Sequence, residues 1–233
     1  MTMNSPESMQ ILHQLATTDS GSSKGLDQVK AAEMMREIGL KCISFNGIPR
    51  TINVLGAFHA GLPQAVSSAL DTTPAHADRS ADASNIMEIR ARGEALWKSV
   101  YDPFQDKLVA KLAQSHPNLP RFILQYEYGG LLADPPSSDS SASIGRVLTS
   151  IVAVACLRAQ TGVGPQVVSH VFGLRKAYDD GSYKAEGEAE VEGGKWLASD
   201  EGNIWLLECV DRIVQGIGEG RGTTFAPGMR AKL

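Results

Sequence analysis

The sequence predicts an all-α protein, on three observations. Apolar residues recur mostly at helical spacing, and few stretches alternate apolar with polar as half-buried strands do. The segment richest in strand-forming residues, Ile144 to Gln160, has a length that favours a buried helix, although its Val, Ile and Thr content would also suit a buried strand.

The elements follow in order. Leu26, Val29, Met34, Ile38 and Cys42 mark a helix over Leu26 to Phe45, stopped at Asn46-Gly47, where left-handed backbone is tolerated. Pro49 suits the first turn of a second helix through Ile52, Leu55 and Ala57 and past Gly61-Leu62-Pro63. Asp71 to Asn85 is a polar connection. A long helix runs from Ile86 through Trp97 and Tyr101, and Asp102-Pro103 breaks it before Phe104 to Gln114. Pro117 to Leu132 is another helix, ending at a Pro- and Ser-rich loop over Ala133 to Ser141. After Ile144 to Gln160, Gly162 to Pro165 turns the chain into a helix over Gln166 to Tyr178. Asp179 to Asn203 is acidic and glycine-rich, a long loop with one anchor, Trp196. Ile204 to Ile217 is an amphipathic helix whose buried stripe is Trp205, Leu206, Cys209, Ile213 and Ile217. One domain is expected over residues 1–233, in approximate halves 20–85 and 86–217, with a flexible tail at 218–233.

With 233 residues, 42% hydrophobic and 21% charged, the chain has ordinary globular composition. A net charge of −4 carries no electrostatic footprint for nucleic acid or an anionic membrane face. No apolar run reaches the roughly 18–20 residues that span a bilayer, since Thr149 and Ser150 interrupt the longest one, Val147 to Leu157. Met1 to Gln10 is polar and lacks a basic start, so no secretory signal is expected. Cys42, Cys156 and Cys209 are far apart among apolar neighbours and read as small buried free thiols. No C-x-x-C pair offers zinc or dithiol chemistry.

The sequence closes on Ala231-Lys232-Leu233, a conservative variant of the Ser-Lys-Leu peroxisomal address. Five glycines and a proline between Gly216 and Gly228 would keep it exposed. Coincidence is the alternative to an import receptor and a peroxisomal matrix location.

Two constellations are absent: a phosphate loop after a strand, and histidines at metal-ligand spacing. No cofactor and no metal are therefore expected. Of five histidines, His13 and His76 lie in polar stretches and read as solvated, and His116 reads as a helix end. His59 and His170 lie inside apolar helices. His170 has Gln166 at i−4, Gly173 at i+3 and Ala177 one turn on, a low stripe that leaves either a close helix contact or a cleft. Imidazole titrates near neutrality, so in a partly dry cleft it can take or give a proton. The alternative is a core histidine bonded to a carbonyl.

The run Val147-Leu148-Thr149-Ser150-Ile151, together with His170-Val171-Phe172-Gly173-Leu174-Arg175-Lys176-Ala177, resembles the carboxymuconolactone decarboxylase family of the AhpD-like superfamily. That pattern is an arginine opening an apolar helix, a turn, and a helix with H-x-x-x-A-L-x-x-G. Arg146 stands at the arginine, His170 at the histidine and Leu174 near the leucine. Phe45-Asn46-Gly47-Ile48-Pro49-Arg50 is similar to a second signature, Y-x-G-x-P-x-A, with Phe45 in place of tyrosine and Arg50 at its last position. The stretch from Trp97 through Pro117 to Tyr128-Gly129 is similar to the lead-in to the family's second unit. The resemblance implies two related helical units, a homo-oligomer and a site near helix interfaces. The C-x-x-C of the peroxidase branch falls here on Val163 and Gln166, and its acidic residue on Ile151, so a dithiol peroxidase cycle is not expected.

Two functions remain open. In one, the protein is a cofactor-free lyase, a decarboxylase, or an isomerase acting on a small organic acid or lactone. His170 then exchanges the proton, Arg146 and Arg50 hold the carboxylate as bidentate partners, and Tyr128 donates to a developing enolate. The alternatives for these residues are solvated helix-end charges and a core aromatic with a satisfied hydroxyl. In the other, the fold serves as a non-catalytic peroxisomal binding or scaffold protein. An open pocket holding arginine and histidine would favour the first, and a closed core with the imidazole nitrogens satisfied by backbone the second.

Overall fold

A computed structural model describes residues 1–21, 23–72, 79–134, 143–184 and 189–220. His76 and the terminal Ala231, Lys232 and Leu233 lie outside the described residues. Within them the protein is all-α: twelve α-helices, one π-helix and no strand. None of these helices is long and apolar enough to cross a membrane.

The first layer is α1 (Pro6–Thr17), α2 (Gln28–Lys41), α3 (Ile43–Asn46), α4 (Ile48–Gly61) and α5 (Gln64–Ser67). Its core is Met9, Ala32, Met35, Val54, Phe58 and Val66. Asp27 starts α2 by accepting from the Lys30 amide at 2.9 Å, and Gly47, at φ +78°, separates α3 from α4 as Asn46-Gly47 implied. Two expectations change here. The polar N-terminus forms α1, and His13 is buried, stacked edge-on against Phe58 with Nε2 at 2.9 Å from the Gln28 carbonyl. His59 is exposed on α4, which ends at Leu62-Pro63 and does not run past it.

The second layer is α6 (Ile86–Tyr101), α7 (Gln105–Ser115), α8 (Leu119–Phe122) and the π-helix Ile123–Leu132, around Trp97, Tyr128 and Leu132. Asp102-Pro103 separates α6 from α7 as expected. The expected helix over Pro117 to Leu132 is wound mostly as π, with the wider i→i+5 turn. It crosses α6 through two glycines: a Cβ on Gly93 would strike the Leu124 carbonyl, and one on Gly129 the Ile89 carbonyl.

Helix α9 (Gly145–Gln160) runs between the remaining elements and buries ten of its residues, which settles the strand-or-helix ambiguity through its length. It packs against α3, α10 (Gly164–Asp179) and α12 (Asp200–Ile217). The stretch Asp179 to Asn203 is less loop-like than its composition suggests. It contains α11 (Gly194–Leu197), and α12 already begins at Asp200, where Ser199 Oγ accepts from the Gly202 amide at 3.1 Å. Trp196 is 43% exposed, so it does not anchor the segment through burial. The buried face of α12 is Gly202, Asn203, Leu206 and Val210. Of the expected stripe only Leu206 is buried: Trp205 and Ile213 are exposed, and Cys209 is half-buried.

Four charges are sequestered where α2, the polar connection and the end of the π-helix meet. The Lys41 side chain is fully buried; its Nζ lies 2.7 Å from Asp134 Oδ1 and donates to the Leu132 carbonyl. Arg79 pairs with Glu37 and donates to the Leu131 carbonyl at 2.7 Å. Asp134 Oδ2 accepts from the Gly145 amide at 2.6 Å, which caps α9 from outside the helix. Burial pushes the Lys41 ammonium below its usual range, against the raising effect of Asp134. Burial also works to raise the Asp134 carboxyl, but Lys41, the Gly145 amide and Arg79 together hold it below its usual value.

Candidate active site

Four elements converge on His170. Helix α10 carries it, α6 brings Ser99 and Tyr101, the π-helix brings Tyr128, and the first turn of α9 brings Arg146. His170, Arg146 and Tyr128 are all buried, at 7%, 8% and 6% exposure. Phe45, Leu96, Val100, Leu132, Thr149 and Ala153 complete a small cavity with Tyr128, Ser150 and His170. It has about 10 Å³ in which a water molecule can be centred, the room of roughly one water.

Among the described residues the imidazole meets a hydrogen-bonding group on one side only. Tyr128 donates to the Tyr101 hydroxyl at 3.1 Å, and Tyr101 Oη lies 3.4 Å from His170 Nε2. With the Tyr101 oxygen accepting from Tyr128, its proton is free to point at Nε2, and the chain runs Tyr128 to Tyr101 to His170. His170 Nδ1 is buried and has no hydrogen-bond partner among the described residues. Phe45 and Tyr101 pack edge-on against the ring, at centroid distances of 6.2 and 6.0 Å.

Arg146 binds three helices. Its Nε donates to Ser99 Oγ at 2.8 Å, Nη1 to Ser150 Oγ, and Nη2 to the carbonyls of Gly173 at 2.9 Å and Ser99 at 3.2 Å. Every one of these partners is neutral. No carboxylate among the described residues lies within ion-pair distance, so a guanidinium charge stands in the interior without a paired anion.

The electrostatics follow from this placement. Burial, and then the Arg146 charge, lower the His170 imidazole to about 4. The ring is therefore neutral at pH 7, which corrects the expectation that it titrates near neutrality. Burial raises the Tyr101 and Tyr128 phenols, so both stay protonated and act as donors. Burial brings Arg146 down to about 10, and it remains a cation at neutral pH.

The structure thus brings together three of the four residues singled out in the sequence. Arg50 lies elsewhere, half-buried in the first turn of α4, a helix that packs on α1, α2 and α3. Tyr101, Ser99 and Ser150 belong to the site and were missed. Ser150 was legible, since it stands at i+4 from Arg146 on one helix. Tyr101 was hidden by its place at a helix end, beside the Asp102-Pro103 break. No three His, Cys, Asp or Glu side chains among the described residues are grouped to hold a metal ion. The chain matches no family model, no curated protein and no solved structure.

Proposed function

We propose that the protein is a cofactor-free lyase, acting as a decarboxylase, or an isomerase of a small organic acid or lactone, with His170 as the proton-transfer group. The observation that carries this reading is the pairing of a buried cation, Arg146, which has no carboxylate within ion-pair distance among the described residues, with a neutral imidazole whose Nδ1 has no partner among them. A buried cation without a counter-ion favours an anionic guest, and a neutral imidazole can both give and take a proton. With Tyr101 donating to Nε2, Nδ1 carries the ring proton. On loss of carbon dioxide, the electrons of the broken C–C bond form an enolate. Nδ1–H then protonates its carbon while Nε2 takes the Tyr101 proton. The phenolate left on Tyr101 accepts from Tyr128 and is stabilised by the Arg146 charge. Isomerisation starts instead from the other neutral tautomer, in which Nε2–H donates to the Tyr101 oxygen. Nδ1 takes a proton from the substrate carbon, leaving an enolate beside an imidazolium, and returns it to the neighbouring carbon. A guest larger than water requires Phe45, Leu96 and Leu132 to part. Delivery to the peroxisomal matrix through Ala231-Lys232-Leu233 belongs to the proposal, as does a homo-oligomer covering exposed apolar residues such as Ile204, Trp205 and Ile213.

The non-catalytic binding or scaffold reading is favoured by a separate observation. The cavity holds about one water, and Nε, Nη1 and Nη2 of Arg146 are all engaged. One experiment separates the two. Wild-type protein and His170→Gln are incubated with the small acids of a peroxisome-rich cell extract, and the pools are compared by mass spectrometry. An acid consumed by the wild type and turned over at least about a hundredfold more slowly by the variant supports catalysis. An equal rate in both removes His170 from the mechanism, and an unchanged pool favours the scaffold.

A further inference from the structure

Two cysteines placed 114 positions apart in the chain meet in the core. Cys42, at the junction of α2 and α3, and Cys156, in the second half of α9, have their Sγ atoms 3.6 Å apart. They are 2% and 7% exposed. The pair is not a patch of apolar packing. Asn46 Nδ2 stands 3.6 Å from Cys156 Sγ, and Thr2 Oγ1 donates to Asn46 Oδ1 at 2.9 Å, which lays the buried Thr2 over the pair. The two sulfurs are therefore unequal. The S–H of Cys42 and the Asn46 amide act as donors that lower the Cys156 thiol against the effect of burial, while the Cys42 thiol is raised by its bond to Cys156 and by burial. Cys156 is the sulfur that ionises first and Cys42 the one that keeps its proton.

We infer that Cys42 and Cys156 are a reversible dithiol–disulfide pair, with Cys156 the nucleophile, Cys42 the resolving thiol and a small hydroperoxide the oxidant. The Cys156 thiolate attacks the outer oxygen of the hydroperoxide, the O–O bond breaks, and the proton lost by Cys156 leaves on the alcohol or water released. Cys42 sulfur then attacks the sulfenyl sulfur. The S–S bond forms, the S–O bond breaks, and the Cys42 proton departs with hydroxide as water. Two thiols and one hydroperoxide give one disulfide, one alcohol or water and a further water, so two electrons pass from sulfur to oxygen. Burial restricts the oxidant to one small enough to slip past Thr2 when that segment lifts. Closing the bond joins α2–α3 to α9 behind the cavity, where Phe45 and Ala153 each stand three residues from one of the cysteines. The inference concerns sulfur alone and does not depend on the catalytic reading of His170.

The test uses the full chain. Reduced protein is treated with hydrogen peroxide, remaining thiols are alkylated, and the digest is read by mass spectrometry. Cys209, half-buried and in contact with Arg212 at 3.2 Å, is the internal reference. The expected product is a peptide pair containing Cys42 and Cys156, linked and about 2 Da lighter than the two thiol peptides for the two hydrogens lost. It returns to free thiols with dithiothreitol. In Cys42→Ala the link is absent and dimedone captures a sulfenic acid on Cys156; in Cys156→Ala neither product forms. Peroxide that oxidises Cys209 while Cys42 and Cys156 both remain alkylated overturns the inference, as does sulfinic acid on Cys156 without a link. The wild-type arm decides the matter even if an alanine variant fails to fold.

Discussion

Asp134→Ala destabilises the protein by about 3–5 kcal/mol, the scale for removing one partner of a buried ion pair. The substitution leaves the Lys41 ammonium at zero exposure with the Leu132 carbonyl as its remaining hydrogen-bond partner, and it uncaps α9 at Gly145. Lys41→Met costs less. It removes the cation that burial already opposes, while Asp134 keeps the Gly145 amide, the Ser143 hydroxyl at 3.2 Å and Arg79 at 3.9 Å. Urea denaturation of both variants at pH 7 reads the difference. Equal losses would mean that the α9 cap and the Lys41 pair do not share Asp134 as its geometry indicates.

Acid destabilises the protein through His170 before it reaches the carboxylates. The imidazole has a usual value of 6.5 and is held at about 4 in the folded chain, a difference worth about 3 kcal/mol. The folded pKa is depressed, so the stability is fully present above pH 6.5. It is lost as the pH falls towards 4, because the unfolded chain takes the proton first. Asp134, held below its usual 3.8, adds its own loss at lower pH still. Urea midpoints of wild type and His170→Gln at pH 7 and pH 4.5 isolate the effect, since glutamine does not titrate. The wild type is expected to lose about 2 kcal/mol more than the variant across that interval. Matching losses would place the buried imidazole in contact with solvent.

Helix ends were legible wherever a backbone constraint sits in the sequence itself. Gly47 and Asp102-Pro103 interrupt helices in the structure as they do on paper, and the length of Ile144 to Gln160 outweighed its strand-like composition. What failed was the choice of face. On α12, apolar residues stand on two sides, and a stripe alone does not say which is buried. The decision lies with Gly202, where a Cβ would strike the Trp196 carbonyl, so the helix turns its smallest residue inward and leaves Trp205 and Ile213 outside. Helix α1 escaped notice because one of its two buried residues is a histidine and its leucines Leu12 and Leu15 are exposed.

Within the site, Arg146 and His170 were visible because each occupies a marked place on its own helix. Contacts between distant segments were not. Arg79 stands in what read as a polar connection and Asp134 in what read as a Pro- and Ser-rich loop, and only folding shows that they enclose Lys41. Nor does any spacing rule pair Cys42 with Cys156, because their contact depends on how α9 passes α3.

The Arg146 guanidinium has a consequence for motion. Its donors reach the end of α6, the start of α9 and the middle of α10, so none of the three can pull away without breaking bonds held by the other two. Local opening of this region is one event with one free energy, rather than three independent frayings. Backbone amides around Ser99, Ser150 and Gly173 should therefore show one common protection free energy in hydrogen–deuterium exchange. An anion that draws the guanidinium towards itself would quicken all three together.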